Sequence, residues 1–173
     1  METALEHILT SSYKAEMISY LNSHPKDFEE AIKLAVSNKQ PYSWRAAWLL
    51  WSCMEKNDKR IKGYVKYIID TISVKSDNQQ RELLIILHKM EINEELEGLL
   101  FNHCVSIWQK ISKKPSVRYN AFKMIVKIAK KHPDLYHEII LLTQIQYLDS
   151  LSSTVNNSIF EMIKEFKIKS SML

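Results

Sequence analysis

Glycine occurs only twice in this chain, at Gly63 and Gly98. Phosphate-cradling loops, dinucleotide-binding turns and two-residue β-hairpins all need glycine where the backbone takes positive φ. None of these devices has a candidate here. The four prolines point the same way. Pro25, Pro41, Pro115 and Pro133 fall between segments of apolar periodicity, at or near expected helix starts, where a missing N–H does no harm.

The apolar period is helical almost throughout. It predicts helices over about 11–22, 25–37, 43–56, 58–72, 77–90, 93–112, 115–131, 133–148 and 153–168, with a short leading turn within 2–9. Proline and acid sit in first turns at Ser23-His24-Pro25 and His132-Pro133-Asp134. Asn57-Asp58, Ser76-Asp77 and Asn93 supply side-chain oxygens that can cap orphan N–H groups. No segment alternates with period 2 for long enough to compete as a strand. The expected loops are short, which makes sequential helices antiparallel neighbours.

The segments also repeat. A shift of 38 residues lays 115–131 on 153–169, with Val117 on Val155, Phe122 on Phe160, Met124 on Met162 and Ile125 on Ile163. A shift of 37 lays Arg81 on Arg118, Leu84 on Ala121 and Leu87 on Met124. A shift of 36 lays Arg45 on Arg81, Trp48 on Leu84, Trp51 on Leu87 and Met54 on Met90. Equal spacing of apolar positions predicts equal packing roles, with Trp48, Leu84, Met124 and Ile125 in the core. Helix pairs that cannot each bury an apolar stripe do so by stacking.

Pro115-Ser116-Val117-Arg118-Tyr119-Asn120-Ala121, followed by Met124, Ile125 and Ile128, resembles the second helix of a HEAT repeat. That helix typically reads Pro-x-Val-Arg-x-x-Ala and then spaced aliphatics. The resemblance covers about 40–170 and is degenerate. Alanines follow the arginine directly at Ser43-Trp44-Arg45-Ala46-Ala47-Trp48, and Asn156 stands where an arginine belongs. A HEAT/armadillo-like membership implies an all-α fold, a right-handed α-α superhelix of about four antiparallel helix pairs. It implies one repeat domain over 1–173, with repeat pairs at roughly 58–90, 93–131 and 133–168. It also implies that the arginine-bearing helices line the concave face.

Composition and charge narrow the function classes. Apolar residues make up 46% and charged residues 25%, a globular balance, and the net charge of +4 is too small alone to imply nucleic acid. Cys53 and Cys104 stand singly inside helical patterns and read as small buried hydrophobes. The N-terminus is neither basic nor followed by an apolar core, so no signal peptide is expected. The longest apolar run, Ala46 to Trp51, is too short to span a bilayer. The expectation is a soluble, cytoplasmic protein without a membrane association.

Three groups of side chains are candidate sites. From Gly98 to Pro133 there is no acid, while Lys110, Lys113, Lys114, Arg118, Lys123, Lys127, Lys130 and Lys131 all occur. Lys123, Lys127 and Lys130 share one helix face. With Arg118 and Lys131 they could neutralise an anionic partner. Lys123 and Lys127 align, however, with Glu161 and Glu165 in one neighbouring repeat and with Ile86 and Met90 in the other. A nucleic-acid groove should stay basic across repeats, so a solvated or ion-paired face is the favoured reading.

Trp44, Trp48 and Trp51 form a stripe at i, i+4, i+7. Such a stripe is usually core or repeat interface. Its alternative is a ligand platform, as in HEAT-like bacterial proteins that excise alkylated bases with concave tryptophans, a catalytic aspartate and basic residues. The tryptophan helix here has no Asp, and its first acid is Glu55. The third group, the column Arg45, Arg81 and Arg118, is expected to form a structural ladder, because buried arginine is tolerable only when paired.

His103, His132 and His137 form no ligand pair of the zincin kind, and no nucleophile elbow occurs. No metal, cofactor or catalysis is expected. The favoured function is a non-catalytic interaction module docking a protein on its concave surface. Behind it stands a DNA-binding or DNA-repair protein of the HEAT-like glycosylase type. A homo-oligomeric structural protein comes third.

Overall fold

A computed structural model describes residues 2–170 of the chain, with the side chains of Glu165 and of 167–170 outside the description. About 77% of the chain is helical, with no strand among the described residues. The chain divides into two compact units, Met1–Leu96 and Glu97–Leu173, with the division falling inside one helix.

The first unit begins with α1 (Ala4–Ser11), where the sequence predicts only a turn. A reciprocal cap explains the extra length. The Glu6 amide donates to the Thr3 hydroxyl at 3.2 Å, and the Thr3 amide donates to the Glu6 carboxylate at 3.2 Å. Helices α2 (Lys14–Ser23), α3 (Phe28–Val36), α4 (Tyr42–Cys53), α5 (Lys59–Lys62), α6 (Val65–Thr71) and α7 (Asp77–Lys89) follow. The single helix expected over 58–72 is broken at Gly63-Tyr64 into α5 and α6, where glycine weakens helix propagation.

α4 packs against both α3 and α7. Ala46, Ala47, Leu49 and Leu50 of α4 are buried, as are Leu83, Leu84, Ile86 and Leu87 of α7. Side chains from the α7 region close the C-terminal ends of earlier helices. Lys75 is buried, only 8% exposed, and its ammonium donates to the Val36 carbonyl at 2.6 Å and to Asn38 Oδ1 at 2.9 Å. The Gln79 amide donates to the carbonyls of Ala35 and Ser37, and Lys89 donates to those of Trp51 and Met54. Orphan carbonyls at helix ends must find donors, and these long side chains supply them.

α8 (Glu94–Gln109) carries the chain into the second unit, which contains α9 (Pro115–Ala129), α10 (Tyr136–Leu141), α11 (Ile145–Leu148) and α12 (Ser153–Ser170). Met124 and Ile125 are fully buried, as their register predicts. Phe160, aligned with the buried Phe122, is instead 47% exposed. Beyond α12 the described residues supply no further helix to cover it.

The helix expected over 133–148 is a one-turn 3-10 segment followed by two short helices. The break is stabilised from outside the segment. The Trp108 indole donates to the Leu142 carbonyl at 2.8 Å, and Arg118 donates to the Tyr147 carbonyl at 2.5 Å. Carbonyls freed from the helix ladder thus keep partners.

Candidate functional site

The tryptophan stripe does not lie in the core. Trp44, Trp48 and Trp51 are half-buried and line a hollow of about 630 Å³ in the first unit. This corrects the expectation for Trp48, whose counterpart Leu84 is buried as the repeat alignment predicts. The reason lies in the neighbouring positions of α4. Ala46, Ala47, Leu49 and Leu50 take the buried face, and the i, i+4, i+7 stripe turns to the adjoining one.

Three helices build the hollow. α4 contributes the tryptophans and Arg45, α2 contributes Lys14 and Met17, and α7 contributes Arg81, Glu82 and Ile85. Tyr13 stands at the rim, 83% exposed. The Trp48 and Trp51 rings meet edge-on with centroids 6.1 Å apart. The Lys14 ammonium lies 5.2 Å from the Trp48 centroid, and the Arg45 guanidinium 5.2 Å from that of Trp44.

Glu82 is the acid of this groove, and sequence reasoning missed it by seeking an acid on the tryptophan helix. Its side chain is only 1% exposed. One oxygen accepts from the Trp51 indole at 2.6 Å, and the other accepts from Arg81 Nε at 2.8 Å and from Arg81 Nη2. A carboxylate so buried and engaged through both oxygens holds an indole and a guanidinium in place. Base chemistry of the glycosylase kind needs an acid presented to the ligand. Neither Lys14 nor Glu82 belongs to a recognisable pattern, because their helices are separated from α4 by tens of residues. The adjacency of Arg81 and Glu82 was the only local signal.

A family model described as HEAT repeat domain matches residues 1–166. The chain belongs to the HEAT repeat family. Comparison with curated proteins finds no match, nor does comparison with solved structures. HEAT repeats are generally protein-interaction scaffolds, and the family is typically non-enzymatic.

The arginine positions of this HEAT repeat chain differ in what they bind. Arg118 is fully buried, donating to the Trp108 carbonyl at 2.9 Å, the Ser150 hydroxyl at 2.8 Å and the Tyr147 carbonyl. Its guanidinium also stacks 4.7 Å from the Trp108 centroid. Burial lowers its pKa from the usual arginine value. An external anion does not reach such a group. Arg45 Nη1 donates to the Leu9 carbonyl at 2.6 Å, near the end of α1, while its buried Nε has no partner. Arg81 bonds to the adjacent Glu82. Asn156, the departure from the motif, donates to the Leu148 carbonyl at 3.2 Å.

The lysines of α9 present a mixed face. Lys123 and Lys127 are half-buried, and the Lys123 ammonium lies 5.9 Å from the Tyr119 centroid. Lys130 and Lys131 are exposed. Lys131 bonds to Glu97 at 2.5 Å, and His132 meets the other oxygen of that carboxylate at 2.8 Å. Burial pushes the Glu97 carboxyl up, and the bonds from Lys131 and His132 more than reverse this, leaving it below the ordinary 4.5. Glu161, aligned with Lys123, pairs with Lys164, and the Glu165 side chain lies outside the described residues.

Cys104 is fully buried, and burial pushes its thiol pKa up. Cys53 is half-buried and shifted the same way by burial. Neither has the lowered pKa of a nucleophilic thiol. Among the described residues no three His, Cys, Asp or Glu side chains are grouped as metal ligands. No helix among them is long and apolar enough to cross a membrane.

Proposed function

We propose that this HEAT repeat chain is a non-catalytic interaction module that docks a protein partner in the tryptophan groove. The observation that carries the reading is the half-exposure of Trp44, Trp48 and Trp51 around one hollow. Tryptophan is expensive to leave in water and is enriched among residues that dominate binding energy. The engagement of both Glu82 oxygens supports a binding role over a catalytic one.

The same reading takes residues 1–173 as one repeat domain, supported by a family match that runs over 1–166 without interruption. It places the protein in the cytoplasm, in keeping with the unpaired Cys53 and Cys104. Arg45, Arg81 and Arg118 form the structural ladder of the repeats, supported most strongly by the buried bonds of Arg118. Lys123, Lys127, Lys130 and Lys131 serve as a solvated or ion-paired face, a role supported by the bond from Lys131 to Glu97.

The test is affinity capture from the native cells with the full chain and with Trp44→Ala/Trp48→Ala. A partner lost with the double variant, and kept by a Lys56→Ala control, is the expected result. A partner held equally by both variants would place docking elsewhere. A far-UV spectrum matching the parent shows that the double variant is folded.

A further inference from the structure

The groove is electrically lopsided. Lys14, Arg45 and Arg81 line it, against the single carboxylate of Glu82. That carboxylate is 1% exposed and offsets the charge of Arg81, so Lys14 and Arg45 carry the excess positive charge of the groove. Arg45 spends Nη1 on the Leu9 carbonyl. Arg81 is ion-paired with Glu82, and Lys14 is the least committed of the three. Lys14 is exposed, stacks on Trp48 and forms no ion pair among the described residues. Arg81 directs Nε and Nη2 to the same oxygen of Glu82, which leaves Nη1 for another acceptor. Met17, Ile85 and the indoles supply apolar walls around these charges, and such walls strengthen the local field.

Resting on the protein-docking reading above, we propose that the groove takes an acidic linear segment of its partner. Carboxylates of the segment meet Lys14 and Arg81, and an aromatic or branched aliphatic anchor seats against Trp48 and Trp51. The volume of about 630 Å³ falls in the range of clefts that enclose a compact ligand, about 300–1,000 Å³. It suits a few side chains of an extended segment better than a broad folded surface. A nucleic-acid strand fits the charge pattern poorly. Strands are held by tracks of cations along the backbone, and of the three cations of this groove Arg45 donates to the Leu9 carbonyl and Arg81 is paired with Glu82. Two carboxylates beside an apolar anchor match what is available.

The experiment selects random dodecapeptides displayed on phage against the full chain, with Trp44→Ala/Trp48→Ala as the counter-selection. Selected sequences are then synthesised and titrated by fluorescence anisotropy. Groove-dependent peptides should carry at least two acidic residues beside an aromatic or branched aliphatic one. Lys14→Glu should weaken them about tenfold, mostly through association rate and more at low salt. Lys14 is exposed, so this variant keeps the fold.

Groove-dependent peptides that are neutral or basic and indifferent to Lys14→Glu would overturn the acidic-segment proposal and leave the docking reading standing. A partner captured by the groove in the preceding test, with no groove-dependent peptide, would overturn the linear segment alone. Failure of both experiments would overturn the docking reading itself. A twelve-residue oligothymidylate that binds more tightly than the best peptide, with the same sensitivity to Lys14→Glu and the tryptophan variants, would replace the peptide with a nucleic acid.

Discussion

Replacing Arg118 with methionine tests whether the guanidinium holds the second unit together. Methionine keeps much of the volume and removes every donor. Three bonds are lost, to the Trp108 and Tyr147 carbonyls and the Ser150 hydroxyl, together with the stacking on Trp108 at 4.7 Å. Hydrogen bonds from a charged donor contribute about 1.5–3 kcal/mol each, so the three together give roughly 4.5–9 kcal/mol. Opposing them is the burial of a cation with no carboxylate partner among the described residues, a cost of several kcal/mol that methionine does not incur. The net expected loss is about 2–4 kcal/mol, because the two carbonyls keep their own desolvation cost once their donor is gone. Urea unfolding followed by far-UV circular dichroism reads the change, provided that the slope with denaturant stays constant. The loss should be the same at low and high salt, since a fully buried group is little screened. A difference under about 1 kcal/mol would show that water replaces the guanidinium at α11, and the account of the broken helix would fail with it.

Met124→Ala should cost about 2–5 kcal/mol, because the side chain is fully buried; a loss well under 1 kcal/mol would break the repeat register. Glu97 has a carboxyl pKa below the ordinary 4.5 in the folded chain, so its contribution is present above that value and disappears as pH falls through the lowered folded value. Glu97→Gln should therefore flatten the stability profile below about pH 4.5 and lower stability at neutral pH; an unchanged acid limb would assign that limb to other carboxylates. Neutralising Lys123, Lys127 and Lys130 together should leave duplex DNA affinity at the level of a generic basic protein. A parent that binds duplex submicromolar at physiological salt, with a salt slope flattened by about 3 in the triple variant, would refute that expectation.

What the sequence alone determined is the helical architecture and its repetition. Those properties are local or periodic. Helix starts at Pro115, Ser76 and Asp58 are signalled within a few residues, and the Ser76 and Asp58 side chains accept from Gln79 and Arg60 amides as their positions imply. The buried register at Leu84, Met124 and Ile125 follows from spacing, because one face of a helix recurs every 3.6 residues. Tertiary structure decided where the pattern ends. The sequence has no local sign that 133–148 breaks, since the donors that receive its freed carbonyls, Trp108 and Arg118, come from α8 and α9. The tryptophans show the same limit. Spacing places Trp44, Trp48 and Trp51 on one side of α4, and only the packing of α4 against α3 and α7 decides which side is covered. The groove then acquires Lys14 and Glu82 from helices distant in sequence. A binding site composed from three helices has no spacing of its own to read, because its geometry exists only once their apolar faces have been buried.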